Sequence, residues 1–296
     1  MIDAEHKPLY VRFVKRKLKL ILLPLFVSAI SASQALAVGG WGGGGNALVC
    51  FEPTKVTDRY ELIAWIRNQK AEQAKAVDRR TDYVQNIPEQ YLTSISKIEV
   101  LDLLEMKTPR MNGIDGVSFR PNEQDFLMPA DNETAPQYIS RIVNTRRKGL
   151  PSLNDFLVRK LVEFNDAARN TRVVKSLAYV KDADLQGLDI EGNQDLDNCL
   201  VLTLISQLHV GSVTFGVQND LFNHKFHPRQ SRYITWLHEF AYFALKTHPR
   251  ERELGTNVHH VRSLVKFLTD MSYSDELIKK RLQQWGYIDL ADIPMI

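Results

Sequence analysis

The residues best suited to chemistry lie in one short stretch, Trp236-Leu237-His238-Glu239-Phe240-Ala241-Tyr242. Its His-Glu step shares the opening of the H-E-x-x-H motif, in which two histidines one helical turn apart bind zinc and the glutamate activates the metal-bound water. Tyr242 stands where the second histidine would be. A neutral tyrosine is a poor zinc ligand, so the motif is incomplete. Without a metal, His238 beside Glu239, one turn from Tyr242, is a candidate acid–base set.

Helical placement of residues 231–247 at about 100° per residue gathers Ser231, Arg232, Thr235, His238, Glu239, Tyr242 and Lys246 on one arc and leaves the rest of the circumference apolar. Such a stripe could line a cleft, form the solvated edge of a central helix, or make a buried structural hydrogen-bond network. Seven of the eight histidines follow residue 208. His259 and His260 begin the next helical pattern, His224 and His227 form an H-x-x-H step, and His248 follows the His-Glu helix. A metal-dependent hydrolase, with zinc on His238 and on His259 or His260 and with Glu239 as general base, is therefore the alternative to a protein that works by binding. The acidic run from Asp182 to Asp197 has the composition of a calcium loop, but its twelfth position is Asn193 instead of glutamate. No G-x-S-x-G elbow, phosphate-binding loop or dinucleotide fingerprint is present.

Charge bears on partners. The chain has 38 Lys and Arg against 35 Asp and Glu, net +3. Residues 1–37 read as a secretory signal peptide: basic Lys7 to Lys19, apolar Leu20 to Ile30, and a small-x-small step at Ala35-Leu36-Ala37. That leader holds six of the bases and two of the acids, so the mature chain has 32 bases and 33 acids. The positive excess belongs to the leader, and nucleic acid is not an expected partner. The expected location is periplasmic or secreted, with membrane contact only in transit through the signal and an unknown protein or envelope component as partner. Cys50 and Cys199, each in an apolar run, are expected to form a disulfide in an oxidising compartment; two buried free thiols are the other reading.

The elements around the stripe follow from pattern. Residues 38–46, rich in glycine, read as a flexible leader, and 47–296 as one α+β domain, with a long loop or lid near 108–136 that could be a boundary between subdomains. Strands are expected at Ala47–Phe51, Val173–Val180, Cys199–Ile205 and Ser212–Val217, together forming a small antiparallel sheet. Ile98–Leu104 fits strand or helix. Helices are expected from Thr57 to about Arg80, capped by Thr57 or Asp58, from Tyr138 to Arg147, and from Leu153 to Asn165, capped by Ser152. Three more, Ser231–Thr247, Val258–Met271 and Asp275–Trp285, pack a helical C-terminal portion on the sheet.

The order of features resembles a loose group of exported bacterial proteins with no agreed activity. The shared features are the signal and glycine-rich start, the Cys-ending strand Ala47-Leu48-Val49-Cys50, and the V/I-E-x-L-D-x-x-E segment Ile98 to Glu105. A second Cys strand, the step Asn219-Asp220-Leu221-Phe222, the L-H-E-x-x-Y helix Leu237 to Tyr242, and an arginine on the succeeding helix, here Arg262, complete it. Residues 57–95 stand as an insertion relative to that pattern. The resemblance implies that tyrosine is the usual residue at position 242, and that His238, Glu239 and Tyr242 act together.

Overall fold

Strand β1 (Asn46–Phe51) is buried at every position and lies at the centre of an antiparallel sheet of order β2-β1-β5. A strand covered on both faces needs a continuous apolar run, and Ala47-Leu48-Val49-Cys50-Phe51 supplies it. The computed structural model describes residues 45–75, 87–103, 106–107, 127–145, 149–169, 189–190, 198–210, 212–256, 258–270 and 273–292. The expected signal peptide, the glycine run before Gly45 and the expected strand Val173–Val180 lie outside these residues. The described residues fall within one compact unit.

After β1, a 3-10 turn (Pro53–Lys55) runs directly into α1 (Val56–Lys75), so Thr57 and Asp58 sit inside the helix instead of capping it. The short helix α2 (Glu89–Thr93) precedes β2 (Ile95–Val100), which pairs with β1. The ambiguous segment at 98–104 divides. Its first part completes β2, and Leu101–Leu103 turn as a 3-10 helix that places Asp102 inward. β3 (Met106–Lys107) pairs with β4 (Asp189–Ile190).

Helix α3 (Ala135–Thr145) buries Tyr138, Ile139, Ile142 and Val143. Helix α4 (Pro151–Ala168) buries Leu153, Phe156, Leu157, Leu161 and Phe164 at helical spacing. Ser152 is not its cap. Pro151 opens the helix, as its fixed φ and missing N–H allow, and the Ser152 amide donates to Asp292 Oδ1.

The expected single strand Cys199–Ile205 is broken at Leu204. β5 (Cys199–Thr203) pairs with β1, whereas β6 (Ile205–Val210) turns away to pair with β7 (Ser212–Val217) in a separate hairpin. Leu204 marks the change of sheet: its N–H donates to Gly45 O, and its carbonyl accepts from Gln218 N–H. The strand at 212–217 therefore exists but belongs to the hairpin instead of the sheet that holds β1, whose other edge is β2.

The C-terminal part is helical: α5 (Asn219–Phe222), α6 (Arg229–Lys246), α7 (Glu251–Leu254), α8 (Val258–Thr269) and α9 (Asp275–Gln284), then a 3-10 turn (Ile288–Ala291). Gly286, at φ 83°, ends α9 in the left-handed conformation that glycine adopts without steric cost. α6 is central, packing against α3, α4, α8, β2 and β6. Its apolar face meets an aromatic cluster in which Phe164 makes edge contacts to Phe215, Trp236, Phe240 and Phe243. The fold is α+β, with a small antiparallel sheet packed by helices.

Candidate functional site: the polar stripe of helix α6

The middle of the stripe faces inward, while Arg232, Tyr242 and Lys246 are half-buried. Ser231, Thr235, His238 and Glu239 are each at most 1% exposed, which overturns the solvated-edge reading. Ser231 Oγ accepts from Val100 N–H at the end of β2, at 2.8 Å. Thr235 donates its hydroxyl to Ser231 O and turns its methyl toward Gly45. His238 Nδ1 donates to Asp102 Oδ2 at 2.9 Å. Glu239 accepts from Gly45 N–H through Oε1 and from Gln207 Nε2 through Oε2, the latter at 2.7 Å. Gln207 Nε2 also reaches the Glu239 carbonyl at 2.6 Å.

The reason for an inward polar stripe is local. α6 lies across strand and turn ends that cannot satisfy all their own polar groups, and an unpaired buried amide costs about 1–3 kcal/mol. Val100 and Gly45 each find their acceptor on α6. Gly45 is the last residue of the glycine run and is bound, with β1 starting one residue earlier than expected, at Asn46. A Cβ on Gly45 would lie 2.4 Å from Thr235 Cγ2, so only glycine lets the chain pass this close to the helix.

Electrostatics divides the two carboxylates. Burial would raise the Asp102 carboxyl, but the charge and hydrogen bond of His238, with Arg262 and Lys266 beyond, hold it below its ordinary value. Burial would lower His238, and Asp102 overcomes this and raises it. Glu239 is pushed up to about 7, chiefly by burial, against the opposing effects of His238, Gln207 and Gly45. Tyr242 is raised by burial and by the neighbouring charges of Glu239 and Glu251. Asp102 therefore stays ionised against His238, whose charged form it favours, whereas burial favours the neutral form of Glu239.

The sequence motifs thus converge. Asp102 from the V/I-E-x-L-D-x-x-E segment, His238 and Glu239 from the late helix, Gly45 from the glycine run and Arg262 from α8 belong to one interior cluster. No known family model, curated protein or solved structure matches the chain.

The other histidines are dispersed. His224 Nε2 donates to Leu92 O at 3.0 Å, His227 Nδ1 to Phe222 O at 2.8 Å, and His248 Nε2 to Asp289 at 3.0 Å. His260 rests against Trp285 with ring centroids 4.9 Å apart. His259 lies on α8, but its side chain is outside the described residues. Among the described residues, no group of three His, Cys, Asp or Glu could hold a metal. Most of the acidic run at 182–197 is likewise outside them. Spacing gave no sign of Gln207, and Asp102 stood out only as part of a resembling motif.

Cys50 and Cys199 face each other across β1 and β5 and form the disulfide. Around it, Asn198 Nδ2 donates to Phe51 O, Ser96 Oγ to Cys50 O, and Arg59 to Cys199 O.

Proposed function

We propose that the chain is an exported module that acts outside the cytoplasm by binding a protein or envelope component, and that His238, Glu239 and Tyr242 serve its architecture instead of catalysis. The observation that carries this is the Cys50–Cys199 disulfide, which fastens the central strand to its neighbour. Such a bond persists in oxidising compartments and is uncommon in the cytosol. With a separation of 149 residues it stabilises by about 4–5 kcal/mol in the chain-entropy model. The basic and apolar leader supports export. Among the described residues, no helix is long and apolar enough to cross a membrane.

The architectural role rests on what the side chains do: His238 and Glu239 are interior and connect α6 to Asp102, Gly45 and Gln207. The hydrolase alternative needs further ligands converging on His238, and the described contacts bring a carboxylate to its Nδ1.

Export is tested by expressing the full chain in a bacterial host and weighing the unreduced product of the extracytoplasmic fraction. The expected product starts near Val38 and gains two thiols on reduction. An uncleaved cytoplasmic chain with two free thiols would overturn the proposal. Binding is tested by sedimenting the mature protein with isolated envelope: saturable association is expected, and its absence contradicts this reading.

A further inference from the structure

We propose that a thiol–disulfide oxidase outside the cytoplasm installs the Cys50–Cys199 bond on the open chain, and that closure of the sheet then seals it. The inference rests on the export reading and gives the exported chain one partner of defined chemistry, a protein with a reactive disulfide. Cys50 lies in the central strand between β2 and β5 and is 7% exposed, and Cys199, at the start of β5, is 2% exposed. Three side chains pin the backbone around the pair: Arg59 of α1 donates to Cys199 O, Asn198 Nδ2 to Phe51 O, and Ser96 Oγ to Cys50 O. Their sequence separations are 140, 147 and 46 residues, so these bonds form only as the sheet closes. Disulfide exchange requires a thiolate to reach the sulfur it attacks, and the closed sheet bars that approach.

Relative rates set the order of events. Collapse of a chain and pairing of its strands begin within about milliseconds, whereas disulfide formation takes seconds to hours and reaches the slow end without a catalyst. Free cysteine packs as a small apolar side chain, so β1 and β5 can close around two thiols and trap them unbonded. An oxidase that meets the chain before closure wins this race. The exchange balances in two steps. Cys50 thiolate attacks the oxidase disulfide, forming a mixed disulfide and releasing one oxidase sulfur as thiolate; Cys199 thiolate then attacks the Cys50 sulfur and releases the other. The chain loses two electrons and the oxidase departs as a dithiol. Cys50 reacts first, because it precedes Cys199 by 149 residues and follows the leader across the membrane. Two cysteines allow one pairing, so the partner is an oxidase and not an isomerase.

The test expresses the full chain in a bacterial host with and without its extracytoplasmic thiol oxidase, quenches thiols in acid, alkylates them in urea and weighs the product. Bonded, leader-free protein is expected from the complete host, and leader-free protein alkylated at both cysteines should predominate without the oxidase. An equal bonded fraction in the two hosts would overturn the inference while leaving export intact. A chain that keeps its leader in both would overturn the export reading, and this inference with it. If the unbonded chain is degraded, the purified mature protein decides. Its two reduced thiols should react with oxidised glutathione on the order of 100-fold faster in urea than after refolding in buffer, because the closed sheet exposes them only through rare opening. Equal rates in the two conditions would overturn the proposal, since nothing would then be sealed.

Discussion

Two histidine–carboxylate pairs sit in this molecule at nearly the same distance, and they behave in opposite ways. His238 and Asp102 meet at 2.9 Å with side chains 2% and 1% exposed; His248 and Asp289 meet at 3.0 Å with side chains 1% and 35% exposed. His238 is raised, because Asp102 outweighs burial, whereas His248 is lowered, because burial outweighs the more hydrated Asp289 and Arg250 adds repulsion. Contact distance therefore does not decide whether such a pair is an ion pair. The depth of the carboxylate does, since water screens the attraction at Asp289 and not at Asp102.

The largest expected effect separates the two pairs outright. Asp102→Ala leaves His238 buried without its partner and should cost about 3–5 kcal/mol, read as a loss in urea unfolding of the oxidised protein. Next comes the pH profile. Glu239, held up to about 7, and His238, also raised, bind a proton more tightly folded than unfolded. Stability at this cluster should thus grow as pH falls from above 7 toward 5, by on the order of 2–3 kcal/mol from Glu239, and Glu239→Gln should remove that share of the slope and leave the share of His238. Asp102, lowered, withdraws stability only when pH drops below the ordinary carboxylate range. His248 opposes the trend, because the unfolded chain takes up its proton first as pH falls through about 6.5. Gly45→Ala, forced onto the Thr235 methyl, should cost about 1–3 kcal/mol and lower the melting temperature without changing the sign of the pH slope. Asp289→Asn should be the mildest, under about 1 kcal/mol, with a melting temperature close to wild type.

The same contrast explains what the sequence revealed. Elements fixed by their own residues were legible: the buried strand at Cys50, the periodic faces of α4 and α6, the stop at Gly286, and the pairing of the only two cysteines. So was the polar arc of α6, because it depends only on helical spacing. Its direction was not legible, since Val100, Asp102, Gly45 and Gln207 come from distant parts of the chain and no local pattern tells a buried polar stripe from a wet one. The break at Leu204 escaped for a similar reason. Within an apolar run nothing marks the residue that must bond both Gly45 and Gln218. Caps expected at Thr57 and Ser152 failed because neighbouring prolines, Pro53 and Pro151, start those helical segments earlier.

The claim that His238 and its neighbours hold the fold together is tested most directly by double-mutant cycles on the two pairs, Asp102 with His238 and Asp289 with His248, measured by urea unfolding at pH 6. The expected coupling is about 2–4 kcal/mol for the interior pair and under about 1 kcal/mol for the outer one. An interior coupling no larger than the outer one, with stability unchanged by loss of either partner, would contradict the account, because the pair would then be held in place for something other than structure.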